Sequence, residues 1–125
     1  MKHIIRLIFF IFLFSPVLQA QKISTENKKA NEKFRQGLNL MNIGETGKAI
    51  AAFKDAISKD RYFTEAYWKL SEAYQIQKNE TNRIGTLQRA CHKTFPYFSQ
   101  TCMRLGMAYF ENGMYQESLE TFEKM

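Results

Sequence analysis

Histidine is nearly missing from this 125-residue chain: His3 and His92 are the only two. There are two cysteines, Cys91 and Cys102. One cysteine pair with no histidine at ligand spacing is not a metal site. Cys91 and His92 are neighbours, and adjacent side chains on a helix point about 100° apart, so they cannot act as a nucleophile–base pair. The six glycines are scattered, and none builds a phosphate-cradling loop. These absences leave no catalytic residue, no metal and no cofactor to assign, so the expectation is a protein that is not an enzyme. Lysine and arginine total 18 but are nowhere dense enough to suggest nucleic acid. One clean apolar run exists, "LIFFIFLF" from Leu7 to Phe14. It is too short to span a membrane, which takes roughly 20 such residues.

That run has a different use. "MKHIIRLIFFIFLFSPVLQA" places Lys2 and Arg6 before the apolar stretch, Pro16 after it and Ala20 at its end. This is the order of a signal peptide, with cleavage expected between Ala20 and Gln21. No cysteine stands near the cut, so no lipid anchor through an N-terminal thiol is expected. Without residues 1–20 the charge is +4, from 16 basic and 12 acidic side chains. It is uneven: residues 21–63 carry nine basic and five acidic groups, and residues 99–125 carry two and four. In an exported chain the two cysteines meet oxidising conditions. They flank "TFPYF", and either a bridge or two buried thiols fits that spacing. Residues 21–29 read as a polar leader or as an early extension of the first helix.

The remaining chain repeats itself. "QGLNLMNIGETGKAIAAFKDA", "LSEAYQIQKNETNRIGTLQRA" and "LGMAYFENGMYQESLETFEKM" align without gaps from Gln36, Leu70 and Leu105. Small residues recur at Gly37, Ser71 and Gly106. Leu40, Tyr74 and Tyr109 keep the spacing, as do Ala49, Arg83 and Ser118. Phe53, Leu87 and Phe122 follow, then Ala56, Ala90 and Met125. A period of about 34 residues signals stacked supersecondary units. Each copy has helical periodicity, as in Cys102, Leu105, Gly106 and Tyr109. Turn formers separate the two helices, and Gly44 and Gly113 suit a left-handed helix end. Thr46, Thr64, Thr81 and Ser99 are the expected N-caps. Arg83 at a small-residue position and Gly85 within a helix predict a looser or re-registered middle hairpin.

These residues resemble the tetratricopeptide repeat, with its W-x₂-L-G-x₂-Y, A-x₃-F and A positions. The resemblance covers about residues 30–125. It implies an all-α fold, a right-handed superhelical stack of antiparallel helix hairpins. There would be about two and a half to three repeats, at about 30–63, 64–98 and 99–125, the last incomplete. Gly37, Ala49, Phe53, Ala56, Leu70, Ser71, Tyr74, Leu87, Ala90, Leu105, Gly106, Tyr109 and Phe122 would pack the repeats. The family lines its concave surface with the first helix of each hairpin. Carried over, that gives a peptide groove of Phe34, Arg35, Leu38 and Met41; Trp68, Lys69, Glu72 and Gln75; Met103, Arg104, Met107 and Phe110. Arg35, Lys69 and Arg104 would form a basic column beside an apolar one of Phe34, Trp68 and Met103. Such a groove suits an acidic peptide or a terminal carboxylate. The plainer alternative is that the cations are merely solvated and the apolar residues pack against the next hairpin. The family's carboxylate clamp uses two asparagines where this chain has Arg35 and Lys69.

Leu119, Phe122 and Met125 close the chain on an apolar face with no capping helix, so a longer protein is expected, or closure by a partner or a second copy. The signal peptide, the "LQAQ" junction and phrases such as "PYFSQTCMRLGMAYFENGMYQESLETFEKM" resemble the start of a group of Bacteroidetes envelope proteins. In that group, tetratricopeptide repeats precede a β-propeller and an OmpA-like peptidoglycan-binding domain, and some serve the type IX secretion system. That resemblance implies an exported scaffold in the periplasm or on the periplasmic face of the outer membrane. Its partners would be other proteins. Contact with membrane or peptidoglycan would come only through a region downstream of Met125. The alternatives are a sensory repeat module of a membrane signalling protein and a free periplasmic peptide binder.

Overall fold

The computed structural model describes residues 22–125, so the expected signal peptide lies outside the described residues. The described residues form six helices: α1 (Lys28–Asn42), α2 (Thr46–Lys59), α3 (Thr64–Ile76), α4 (Glu80–Ala90), α5 (Phe98–Glu111) and α6 (Tyr115–Glu123). Successive helices pair as hairpins, α1 with α2, α3 with α4 and α5 with α6. Next, α2 lies on α3 and α4 lies on α5, so three hairpins stack in chain order. The first helices also approach each other, α1 touching α3. Among the described residues there is no strand, and no helix is long and apolar enough to cross a membrane.

The three hairpin turns are copies of one motif. Gly44, Lys78 and Gly113 have φ of 80°, 56° and 73°. Each donates its N–H to the carbonyl three residues back: Met41, Gln75 and Phe110. The next N–H, of Glu45, Asn79 and Met114, reaches the carbonyl five back: Leu40, Tyr74 and Tyr109. This paired return is the Schellman motif, and it satisfies carbonyls that the helix end leaves free. Glycine enters the left-handed region freely, whereas lysine is strained there by its Cβ. Lys78→Gly is therefore expected to stabilise the protein by about 1 kcal/mol. A urea titration should show a higher midpoint at unchanged slope. A lower midpoint would mean that the lysine side chain contributes more than its backbone costs.

None of the four expected hydroxyl N-caps serves as one. The caps by position are Asn27, Glu45, Phe63, Asn79, Tyr97 and Met114. Asn27 accepts from Ala30 N–H at 3.0 Å, and Asn79 from Asn82 N–H at 3.2 Å. The start of α3 is capped from a distance. Thr64 N–H donates to Ser24 Oγ at 3.0 Å. Ser24 N–H donates to the Glu65 carboxylate at 3.0 Å, and its hydroxyl donates there too. This reproduces the reciprocity of a capping box with a serine from another part of the chain.

Ser24 belongs to a strap. Residues 22–27 are not helical. The Thr25 hydroxyl donates to Asp60, and the Asn27 amide donates to the Lys59 carbonyl at 3.1 Å. Tyr97 on the third hairpin donates its hydroxyl to the Lys22 carbonyl at 2.9 Å. Residues 22–27 of the leader thus cross the helix ends and touch all three hairpins, while its last two residues, Lys28 and Lys29, begin α1.

Packing follows the repeat. Phe53, Ala49, Ala56, Leu70, Tyr74, Leu87, Ala90, Leu105 and Tyr109 are buried, as are Gly37, Ser71 and Gly106. A Cβ on Gly37 would meet the Phe53 ring at 2.5 Å, and one on Gly106 would meet the Phe122 ring at 2.6 Å. The small residue thus makes room for an aromatic ring on the partner helix. Ser118 Oγ reinforces the third hairpin by donating to the Gly106 carbonyl at 2.8 Å. The first core joins Phe34, Ile50, Phe53, Phe63, Ala66 and Leu70 across α1, α2 and α3. A second gathers Leu87, Leu105, Ala108 and Tyr109 between α4 and α5.

The middle hairpin keeps its register despite Arg83, so of the two outcomes expected, looser or re-registered, the second does not occur. That side chain is buried and pairs with Glu80 at 3.0 Å and Glu111 at 2.7 Å. Asn112 also donates to Glu80, at 2.9 Å. A guanidinium can occupy a small-residue position here because two carboxylates meet it at the junction with α5. What differs is length: α4 has 11 residues where α2 has 14. The chain then passes through the Cys91–Cys102 disulfide, with Cα atoms 4.8 Å apart.

Candidate peptide-binding face

The residues expected to line the groove separate into two groups. Phe34 is buried, its ring 4.8 Å from Phe63 and 5.8 Å from Phe53. Leu38 and Met41 are half-buried against the same core. An incoming peptide cannot reach Phe34, which corrects the expectation of a continuous apolar column. Trp68 is also mostly a packing residue. It joins the second core, lies 5.9 Å from the Tyr97 ring, and donates Nε1–H to Thr101 Oγ1 at 2.9 Å. Thr101 in turn donates to the Tyr97 carbonyl at 3.1 Å. A buried threonine thus sets the orientation of the indole.

The surface that remains is carried by α3 and α5. Glu72 sits between Lys69, 2.6 Å away on the same helix, and Arg104, 3.8 Å away on α5. Arg104 lies over the Trp68 ring, 4.6 Å from its centre. This cation–π contact holds the guanidinium against the face, within reach of Glu72. Beyond it, Met103, Met107 and Phe110 are 47, 51 and 62 % exposed on α5. Phe110 also meets Tyr115 edge-on at 5.4 Å. Gln75 is exposed at the end of α3. The basic column is therefore only partly realised. Lys69 and Arg104 are brought together around a shared carboxylate, while Arg35 stands exposed on α1 and is not part of that cluster.

Among the described residues, two ionisable groups are displaced from their ordinary values, both outside this face. Lys59 and Lys33 hold the Asp55 carboxyl below the usual carboxylate range, with Lys59 the stronger influence. Burial pushes the Tyr67 phenol up. Among the described residues no cluster of histidine, cysteine and carboxylates could hold a metal ion. Thr101 beneath Trp68 and Glu111 opposite Arg83 leave no signal in the sequence, because both partners are distant in the chain. The exposed Leu119, Phe122 and Met125 are as the repeat register places them.

With this geometry in place, comparisons with known proteins bear on the fold. Residues 99–124 match the family profile described as tetratricopeptide repeat. The fold is a tetratricopeptide-repeat-like solenoid. A crystal structure of MamA is similar, with a TM-score of 0.67 at 24% identity, covering 79% of this chain and 57% of that one. So is the first tetratricopeptide repeat domain of Spaghetti (RPAP3) bound to the HSP90 peptide SRMEEVD. Its TM-score is 0.66 at 20% identity, covering 82% of this chain and 80% of that one. Among curated sequences, the peroxisomal targeting signal receptor of Candida albicans (strain SC5314 / ATCC MYA-2876) is 29% identical over 97 residues. The match covers 77% of this chain and 16% of that receptor, so the solenoid described here spans about a sixth of the receptor's length.

Proposed function

We propose that this protein is an exported, non-enzymatic scaffold whose repeats bind other proteins, acting as the repeat module of a periplasmic or outer-membrane-associated assembly protein. The observation that carries the binding half is the α3–α5 face. There a stacked Arg104, a Lys69–Glu72 pair and three exposed apolar residues, Met103, Met107 and Phe110, lie side by side. Large apolar side chains left open beside fixed charges are the ordinary makings of a peptide-docking surface. The fold is shared with a domain that holds a peptide rich in carboxylates at its end, SRMEEVD. Here Glu72 already occupies both cations, so an acidic peptide must compete with it. The export half rests on the leader at residues 1–20 and on the Cys91–Cys102 bond, which suits an oxidising compartment.

The test uses a peptide array with free, acidic C-termini, followed by titration of the best binder. Changing Lys69 and Arg104 together to Glu should abolish capture. Glu72→Gln should tighten it about threefold to tenfold by releasing the two cations. Capture that ignores all three changes removes this face from the account. Cell fractionation addresses export: mature protein beginning at Gln21 in the periplasm supports it, and full-length protein in the cytoplasm refutes it.

A further inference from the structure

One hollow in the stack combines an apolar lining with basic side chains. It measures about 360 Å³ and lies between the end of α4, the first half of α5 and the end of α6. Phe98, Leu105, Met125 and the Cys91–Cys102 disulfide supply apolar walls, and His92, Lys93 and Lys124 stand among its lining residues. Its origin is the shortened α4. That helix starts in repeat register with α2 but stops three residues sooner, so a last turn is missing at the junction with the third hairpin. The disulfide then holds the connecting chain against α5.

The repeat register shows what is special about this hollow. Lys33 and Asp55, Tyr67 and Arg89, and Cys102 and Lys124 occupy the same two positions in the three hairpins. In the first hairpin the two side chains form an ion pair of 3.3 Å across a depression that also contains Lys48, Gln36 and Leu40. In the second, Arg89 lies 5.9 Å from the Tyr67 ring centre, and Phe95 packs edge-on to that ring at 5.4 Å. In the third, Cys102 is turned into the disulfide, and Lys124 is left with only a 3.9 Å contact to exposed Glu120. The lining thus joins apolar side chains to two lysines, Lys93 and Lys124.

We propose that this hollow binds a small carboxylate on a flexible apolar chain, a medium-chain fatty acid. The tail would lie against Phe98, Leu105 and the disulfide, and the headgroup would sit between Lys93 and Lys124. The volume lies at the small end of the range for small-molecule sites, which are mostly apolar with a few convergent polar groups. A charge-assisted pair to lysine favours the carboxylate over a neutral headgroup of the same length.

Calorimetric titration of the oxidised protein with decanoate tests this, with decanol as the uncharged control. Decanoate should bind at one site and about tenfold more tightly than decanol. Amide NMR shifts should centre on Phe98, Leu105 and Thr121. The double variant Lys93→Glu, Lys124→Glu changes only exposed side chains and should lose about tenfold in decanoate affinity with decanol unaffected. Thr121→Trp, which fills the hollow from α6, should abolish both. No decanoate binding, or binding unchanged by both variants, overturns the proposal. So does a decanol affinity equal to that of decanoate.

Discussion

Phe53→Ala is expected to destabilise the protein by about 4 kcal/mol, the usual cost of removing a fully buried phenylalanine ring. Phe53 is 0 % exposed, sits over Gly37 and belongs to the core shared by α1, α2 and α3. Removing it opens a cavity that neither hairpin can close, because the ring is the filler between them. Phe122 is the same repeat position in the third hairpin, also facing a glycine, yet it is 43 % exposed. Phe122→Ala should therefore cost only about 1 kcal/mol. Urea titrations followed by helical circular dichroism compare the two. A single small domain has only about 5–15 kcal/mol of stability, so the first variant should lose a large share of it. Equal losses in the two variants would mean that burial of the ring is not what the repeat position contributes. Because stacked repeats are coupled mainly to their neighbours, the loss in Phe53→Ala should fall most heavily on the first two hairpins. Hydrogen exchange resolved along the chain can show this.

Breaking the Cys91–Cys102 bond should cost about 3 kcal/mol on the chain-entropy account of a short closed loop. The cysteines are 11 residues apart and close the connection between α4 and α5. The double variant Cys91→Ser, Cys102→Ser and reduction of the native protein should lower the urea midpoint by the same amount. Both should leave the first hairpin intact, since its core lies in α1, α2 and α3. Resistance of the native protein to reductant, with the serine variant equally stable, would assign the stability of this junction to packing alone. Local consequences should appear around Phe98 and Leu105, which share the hollow with the disulfide.

Much of the fold was legible because repetition reports on packing directly. A small residue recurring at Gly37, Ser71 and Gly106, with Phe53, Leu87 and Phe122 sixteen residues later, follows from two helices that must approach closely around a large side chain. The left-handed turns at Gly44 and Gly113 were readable for a similar reason: the residue type states the backbone need. The caps were not readable in this way. Thr64 looked like a cap by local pattern, but Ser24, 40 residues earlier, fills that role. Residue type placed Trp68, Lys69, Glu72 and Arg104 on first helices but could not say that Glu72 would bridge both cations or that Phe34 would be covered.

By itself, then, the sequence determined the all-helical repeat, its period and the residues at its seams, because helix periodicity and close approach are local demands that recur in every copy. Only the tertiary structure decided what happens where copies differ. Arg83 became a tie to Glu80 and Glu111, the leader became a strap, and the cysteines closed a bond beside a hollow left by a short α4. The physical reason is common to all three. Each depends on which distant groups meet at a junction between hairpins, and no periodicity along the chain encodes that meeting.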